Sequence, residues 1–256
     1  MTRLKKPKLK VDAQPIDSIS QTIPESTVEI IGDTSTETPV SNQQLTAEIY
    51  FPTMAYSIDK PEFLPQVKAA SESALTMLKI ANPKVNDIYP LYQTPNLLGD
   101  MRIQEFAQYI ADTGWNILQS QGYDMTNLRT TISELWCQEH YKHSGMDEHV
   151  HGFGAQIVGF YFLETPEDCS KIVMHDPRPS KKQINLPEAN MFNATAASLA
   201  VNFTPRPGML FFANSWVPHS FSRHAGEKPI KFIHFTLGVQ AAEPTISTPM
   251  PSAEIV

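Results

Sequence analysis

Between Thr130 and Val239 the chain runs through short segments rich in β-branched, aromatic and other apolar residues, each closed by turn-forming residues. They are Thr130–Cys137, Gln156–Leu163, Lys171–Met174, Leu199–Phe203, Met209–Ala213 and Lys231–Val239. This pattern constrains the fold most, because many short strands bury their apolar faces by closing into a barrel or by packing as two sheets. Two helical stretches come first. Leu64, Val67, Ala74, Leu75 and Leu78 recur at helical spacing, with Pro61 and Pro65 suited to a first turn. Ile103, Phe106, Ile110, Ile117 and Leu118 mark one face of the second, with Asp100 placed to cap it. A short strand is also expected at Glu48, Ile49, Tyr50 and Phe51, stopped by Pro52. Helices followed by strands predict a mainly β fold with flanking helices, of the α+β class.

The two ends read differently. Residues 1–44 lack aromatic side chains and are rich in Ser, Thr, Pro and acidic positions, so they cannot bury enough surface to offset their ordering entropy. A disordered arm is expected there, a folded domain over residues 45–240, and a second disordered tail over residues 241–256. Within the arm, Arg3, Lys5, Lys6, Lys8 and Lys10 form a basic cluster, readable as an electrostatic tether or as a solvated tail. With 256 residues, 41% of them hydrophobic, the chain can bury one substantial core. Its formal charge of −7 argues against a nucleic-acid coat or an anionic-membrane binder, outside that basic arm. Cys137 and Cys169 are too few for a disulfide framework, and no apolar run suits a membrane span or a signal peptide. A soluble protein of the cytoplasm, acting on a small molecule or a peptide, is the expectation.

Chemistry gathers on the histidines. Four of the eight, His140, His143, His149 and His151, fall within twelve positions, and His219, His224 and His234 follow in the last β-rich stretch. In His149-Val150-His151 the spacing of two puts both imidazoles on one face of an extended strand, where they can grip one ion. His219 is the best third ligand, on a loop just after the apolar run Met209–Ala213. By ligand type alone such a site suits Fe(II), Zn(II), Cu(II) or Ni(II).

A longer ordered pattern surrounds these residues. Ile49-Tyr50-Phe51-Pro52-Thr53 is followed by Leu135-Trp136, by Glu148-His149-Val150-His151, by Gly159-Phe160-Tyr161-Phe162-Leu163 and by Asp176-Pro177-Arg178. Pro205-Arg206-Pro207-Gly208-Met209-Leu210-Phe211-Phe212, Pro218-His219-Ser220 and Lys231-Phe232-Ile233-His234-Phe235 complete it. In order and spacing the set resembles the 2-oxoglutarate/Fe(II)-dependent oxygenases related to prolyl 4-hydroxylases, a family frequent in bacteria and their tailed phages. The resemblance implies a double-stranded β-helix, with Fe(II) as the metal and 2-oxoglutarate and O2 as cosubstrates. It implies His149, His151 and His219 as the catalytic metal ligands. The wider superfamily has a carboxylate at the second position, so an Asp147–His149–His219 triad is the alternative. It also implies that the distal carboxylate of 2-oxoglutarate is bound by Lys231, twelve residues past His219, with Tyr161 sharing that role; Arg223 or Lys228 are the other cations nearby. Trp136, Trp216, Phe153 and Phe221 flank the ligands and are candidates for a substrate mouth or for plain core. Gly152 and Gly154 suit a mobile loop beside the metal.

Hydroxylation of an unidentified substrate, a peptidyl proline among the candidates, is the function that follows, in a host cytoplasm if the gene is a phage's. Two alternatives stand beside it: a three-His metal dioxygenase of cupin type that needs no 2-oxoglutarate, and a non-catalytic β-helix protein associated with a virion.

Overall fold

The computed structural model describes residues 47–242, and the expected N-terminal arm, its basic cluster and nearly all of the expected C-terminal tail lie outside the described residues. Two units divide the chain at Pro52. In the first, residues 47–52 form no regular element, and the Tyr50 hydroxyl donates to the Glu48 carboxylate. The strand expected at Glu48–Phe51 is therefore absent. Phe51 sits at a φ of 54°, in the left-handed region, which ends an extended segment before Pro52 removes a donor.

In the second unit the chain opens with strand β1 (Ala55–Asp59) and a 3-10 turn at Pro61–Phe63 that feeds helix α1 (Leu64–Ala81). The short strand β2 (Leu91–Gln93) precedes a 3-10 turn at Met101–Ile103 and helix α2 (Gln104–Ser120). Asp100 caps that turn by accepting from the Arg102 backbone N–H at 2.9 Å, a bond of the kind that contributes about 1 kcal/mol. Eight strands follow: β3 (Leu128–His140), β4 (Met146–His149), β5 (Ala155–Glu164), β6 (Ile172–His175), β7 (Ala200–Phe203), β8 (Met209–Asn214), β9 (His219–Phe221) and β10 (Ile230–Ala241).

The strands build a six-stranded sheet in the order β1-β8-β5-β10-β3-β2 and a four-stranded sheet in the order β4-β9-β6-β7. Successive strands from β3 onward alternate between the two sheets, apart from β6 and β7, and the paired strands are antiparallel. This is a double-stranded β-helix with two helices on one face. No helix among the described residues is long and apolar enough to cross a membrane.

Side-chain alternation divides the large sheet between two apolar cores. Its helix-facing side packs Leu135, Cys137, Tyr161, Ile233, Phe235 and Leu237 against Phe106, Ile110 and Ile117 of α2. Its other side packs Val158, Phe160, Phe162, Phe211 and Phe232 against Ile172, Met174 and Phe221 of the small sheet. Both sides being covered is why β5 and β8 are continuous apolar runs instead of alternating ones. Each fully buried Phe contributes about 1.5–3 kcal/mol.

Candidate metal centre

Antiparallel pairing of β4 with β9 sets His149 directly opposite His219. His149 is the last residue of β4 and His151 lies two residues beyond it, off the strand, where its backbone N–H donates to the Ser215 carbonyl at 3.0 Å. The expected arrangement, an extended pair on one strand with His219 on a loop, is thus redrawn: one histidine ends a strand, one begins a strand, and one is held by the turn before β9.

One ring nitrogen or other ligand atom from each of His149, His151 and His219 lies within 4.8 Å of the others, and the ring centroids are 4.5–5.2 Å apart. His149 Nδ1 is 2.8 Å from the Asp147 carbonyl and His219 Nδ1 is 3.0 Å from the Val217 carbonyl. A carbonyl only accepts, so both Nδ1 atoms carry the proton and both Nε2 lone pairs are free. The Nε2 atoms of His151 and His219 are buried without a partner, at a cost of about 1–3 kcal/mol each. Burial lowers His151 and His219 to a pKa of about 4, with the neighbouring His149 adding to the effect. At neutral pH His151 and His219 are therefore uncharged imidazoles with unused lone pairs, the form that a metal ion takes up. Asp147, by contrast, is exposed and stands outside the group; its backbone carbonyl, not its carboxylate, serves the site.

The two residues expected to hold 2-oxoglutarate face the wrong way. Lys231 Nζ is 2.5 Å from Glu72 on α1 and 3.5 Å from Glu164 on β5, on the helix-facing side of the large sheet. Tyr161 packs on Phe106 of α2 and donates to the Lys60 carbonyl at 2.7 Å, on that same side. Alternation along β10 and β5 sends these two side chains out of the barrel while His234 and Phe160 point in. Arg223 is exposed and donates to the His143 carbonyl, and Lys228 is exposed as well. Phe221 belongs to the core between the sheets, whereas Trp216 and Phe153 are exposed.

Sequence reasoning assigns His234 no role, yet it lies beside the ligand group. Its ring is 5.1 Å from that of His151 and stacks on Trp136 at 4.9 Å with planes 12° apart. His234 is 2% exposed, and both its Nδ1 and the Trp136 Nε1 are buried without a partner. The signal that finds it is period two: with Lys231 on one face, His234 falls on the other. Next to His151 opens a cavity of about 460 Å³, walled by Thr131, Ser133 and Glu134 of β3, by Thr236 and Gly238 of β10, and by the Gly152-Phe153-Gly154 turn.

Residues 134–233 match the family model of the 2OG-Fe(II) oxygenases. Among solved structures, AviO1 from Streptomyces viridochromogenes Tue57 is similar with a TM-score of 0.51 at 11% identity, over 75% of this chain and 92% of its own. The non-heme α-ketoglutarate-dependent epimerase SnoN from nogalamycin biosynthesis gives 0.50 at 11% identity, over 80% of this chain and 87% of its own. No curated protein matches the sequence. The matched residues include all three histidines of the group, and the enzyme class that the match indicates is that of oxygenases dependent on Fe(II) and 2-oxoglutarate.

Proposed function

We propose that the chain hydroxylates an organic substrate, with His149, His151 and His219 holding Fe(II) and with 2-oxoglutarate leaving as succinate and CO2. The observation that carries this reading is the group of three imidazoles within 4.8 Å of one another at the edge of a cavity, two of them with buried, unpartnered Nε2 atoms. Fe(II) with 2-oxoglutarate and O2 supplies the oxidising power that places oxygen on a C–H bond. The protein's part is to orient the rings of His149 and His219, through the Asp147 and Val217 carbonyls, and to keep water from the buried side of the site.

The acid groups of 2-oxoglutarate need donors, and Lys231 and Tyr161 are engaged elsewhere. Trp136 Nε1–H meets that need beside the histidines, as does His234 Nδ1 in the tautomer that protonates it; among the described residues both atoms are buried without a partner. A second reading, a three-His dioxygenase that dispenses with 2-oxoglutarate, is favoured by the commitment of Lys231 to Glu72 and Glu164. A peptidyl proline stands as one substrate that the family resemblance suggests.

The test is anaerobic addition of Fe(II) and then 2-oxoglutarate, followed by the visible charge-transfer band that the pair forms on chelation. The band should appear with the intact protein and vanish in His219→Ala. Bound iron without a band, and turnover without succinate, would establish the second reading instead.

A further inference from the structure

The cavity beside His151 has an unusual lining for an acidic protein. Its one carboxylate is Glu134, on the inward side of β3, and among the described residues that carboxylate accepts from the Thr236 hydroxyl at 3.2 Å. Among the described residues, no Lys or Arg lines the cavity. Thr236 is itself 2.7 Å from the Ser133 hydroxyl, at the point where the register of β3 against β10 shifts between Thr236 and Leu237. That bulge turns an extra residue, Ser133, toward the opening, where its hydroxyl meets the Thr236 hydroxyl that donates to Glu134. Phe153, fully exposed, also lines the cavity, on a turn whose Gly154 has a φ of 87°.

We infer that this cavity selects a substrate bearing a cationic amine, seated between the Glu134 carboxylate and the ring of Phe153. A carboxylate with no cation beside it in the cavity lining and an aromatic face left to solvent are the two halves of an ammonium site: the first supplies a charge-assisted acceptor, the second a quadrupole. The hydroxyls of Ser133 and Thr236 take the remaining N–H groups. An anionic substrate meets repulsion from Glu134, and a neutral apolar one leaves that carboxylate with only its hydroxyl contact. Because His151 lines the same cavity, an amine anchored on Glu134 presents its neighbouring carbons to the metal side. The inference rests on the reading that His149, His151 and His219 hold the metal.

The experiment compares three probes of one carbon skeleton, hexylamine, hexan-1-ol and hexanoate, by saturation-transfer NMR on the full chain carrying Zn(II) and 2-oxoglutarate. Hexylamine should bind about tenfold more tightly than hexan-1-ol, with hexanoate weakest. Glu134→Gln should erase the preference for the amine while keeping the thermal unfolding midpoint of the parent chain, which reports an intact fold. Phe153→Ala should weaken hexylamine about threefold. Equal binding of amine and alcohol, no binding of any probe, or an amine preference that survives Glu134→Gln would overturn the assignment. The charge-transfer band is read on a separate Fe(II) sample, so its loss and the loss of amine preference are told apart.

Discussion

Lys231 of β10 and Glu72 of α1 are joined by an ion pair of 2.5 Å, with Glu164 of β5 3.5 Å from the same ammonium. Lys79 of α1 and Glu139 of β3 form a second such link, at 2.7 Å. These pairs fasten α1 to the large sheet. The Lys231 side chain is 13% exposed while Glu72 is 48% exposed, so solvent screens one side of the pair. Lys231→Ala should therefore cost about 1 kcal/mol in urea unfolding and leave the 2-oxoglutarate band intact. A band weakened along with stability would return Lys231 to the cosubstrate.

His219 and Asp147 separate the two ligand sets. His219→Ala should lower iron affinity by more than about 100-fold, beyond the effect of losing an outer hydrogen bond. Asp147→Ala should change bound iron little, because the Asp147 backbone carbonyl, which the substitution retains, orients His149. Iron per chain measured after equilibrium dialysis decides the matter; depletion in Asp147→Ala would restore the carboxylate triad.

His234→Phe keeps a ring against Trp136 and deletes the buried Nδ1. Affinity for 2-oxoglutarate should fall about tenfold, the equivalent of one buried hydrogen bond to a charged acid. An unchanged anaerobic titration would show that the cosubstrate is held by other groups.

Gly159 is fixed by packing. A Cβ there would lie 2.0 Å from Phe235 Cζ and 2.8 Å from the Phe211 carbonyl oxygen, and the latter is backbone that cannot step aside. Gly159→Ala should destabilise the protein by about 3 kcal/mol or more. Thermal unfolding gives the check, with a loss below about 1 kcal/mol being the contrary outcome.

Acid should weaken the metal-free protein. His140 and His219 are fully buried, and burial lowers both from 6.5 to about 4. In the unfolded chain each takes up a proton as pH falls through 6.5, whereas in the folded chain each stays neutral until about 4. The unfolded state thus binds more protons across that window, and stability is present above 6.5 and lost as pH descends toward 4. Urea midpoints from about pH 7 to about 4.5 should decline steadily; a flat profile would contradict the burial of these rings.

How much of this is legible in the sequence depends on the kind of signal. The helices announce themselves through Leu64, Val67 and Leu75 and through Phe106 and Ile110, and the long strands through their apolar runs. β4 and β9 escape because Met146–His149 and His219–Phe221 are segments of only four and three residues, too short to display a period. The gathering of the three histidines follows from spacing and strand order, but the sidedness of Lys231 does not. Facing requires a register, and register is fixed by partners such as Glu164 and Glu139, which are distant in sequence. His234 is hidden for the same reason.

β10 runs between two environments, and its content depends on parity. Shifting that strand by one residue relative to β3 and β5 would carry Lys231 into the barrel and expel His234 to the helix side. A single insertion or deletion ahead of Ile230 would thus remove the imidazole from beside the histidines and bury an ammonium between the sheets, without any substitution in the strand itself. The pairs Lys231–Glu72 and Lys231–Glu164 then act as a parity lock, holding the sequence to one of two chemistries that it encodes.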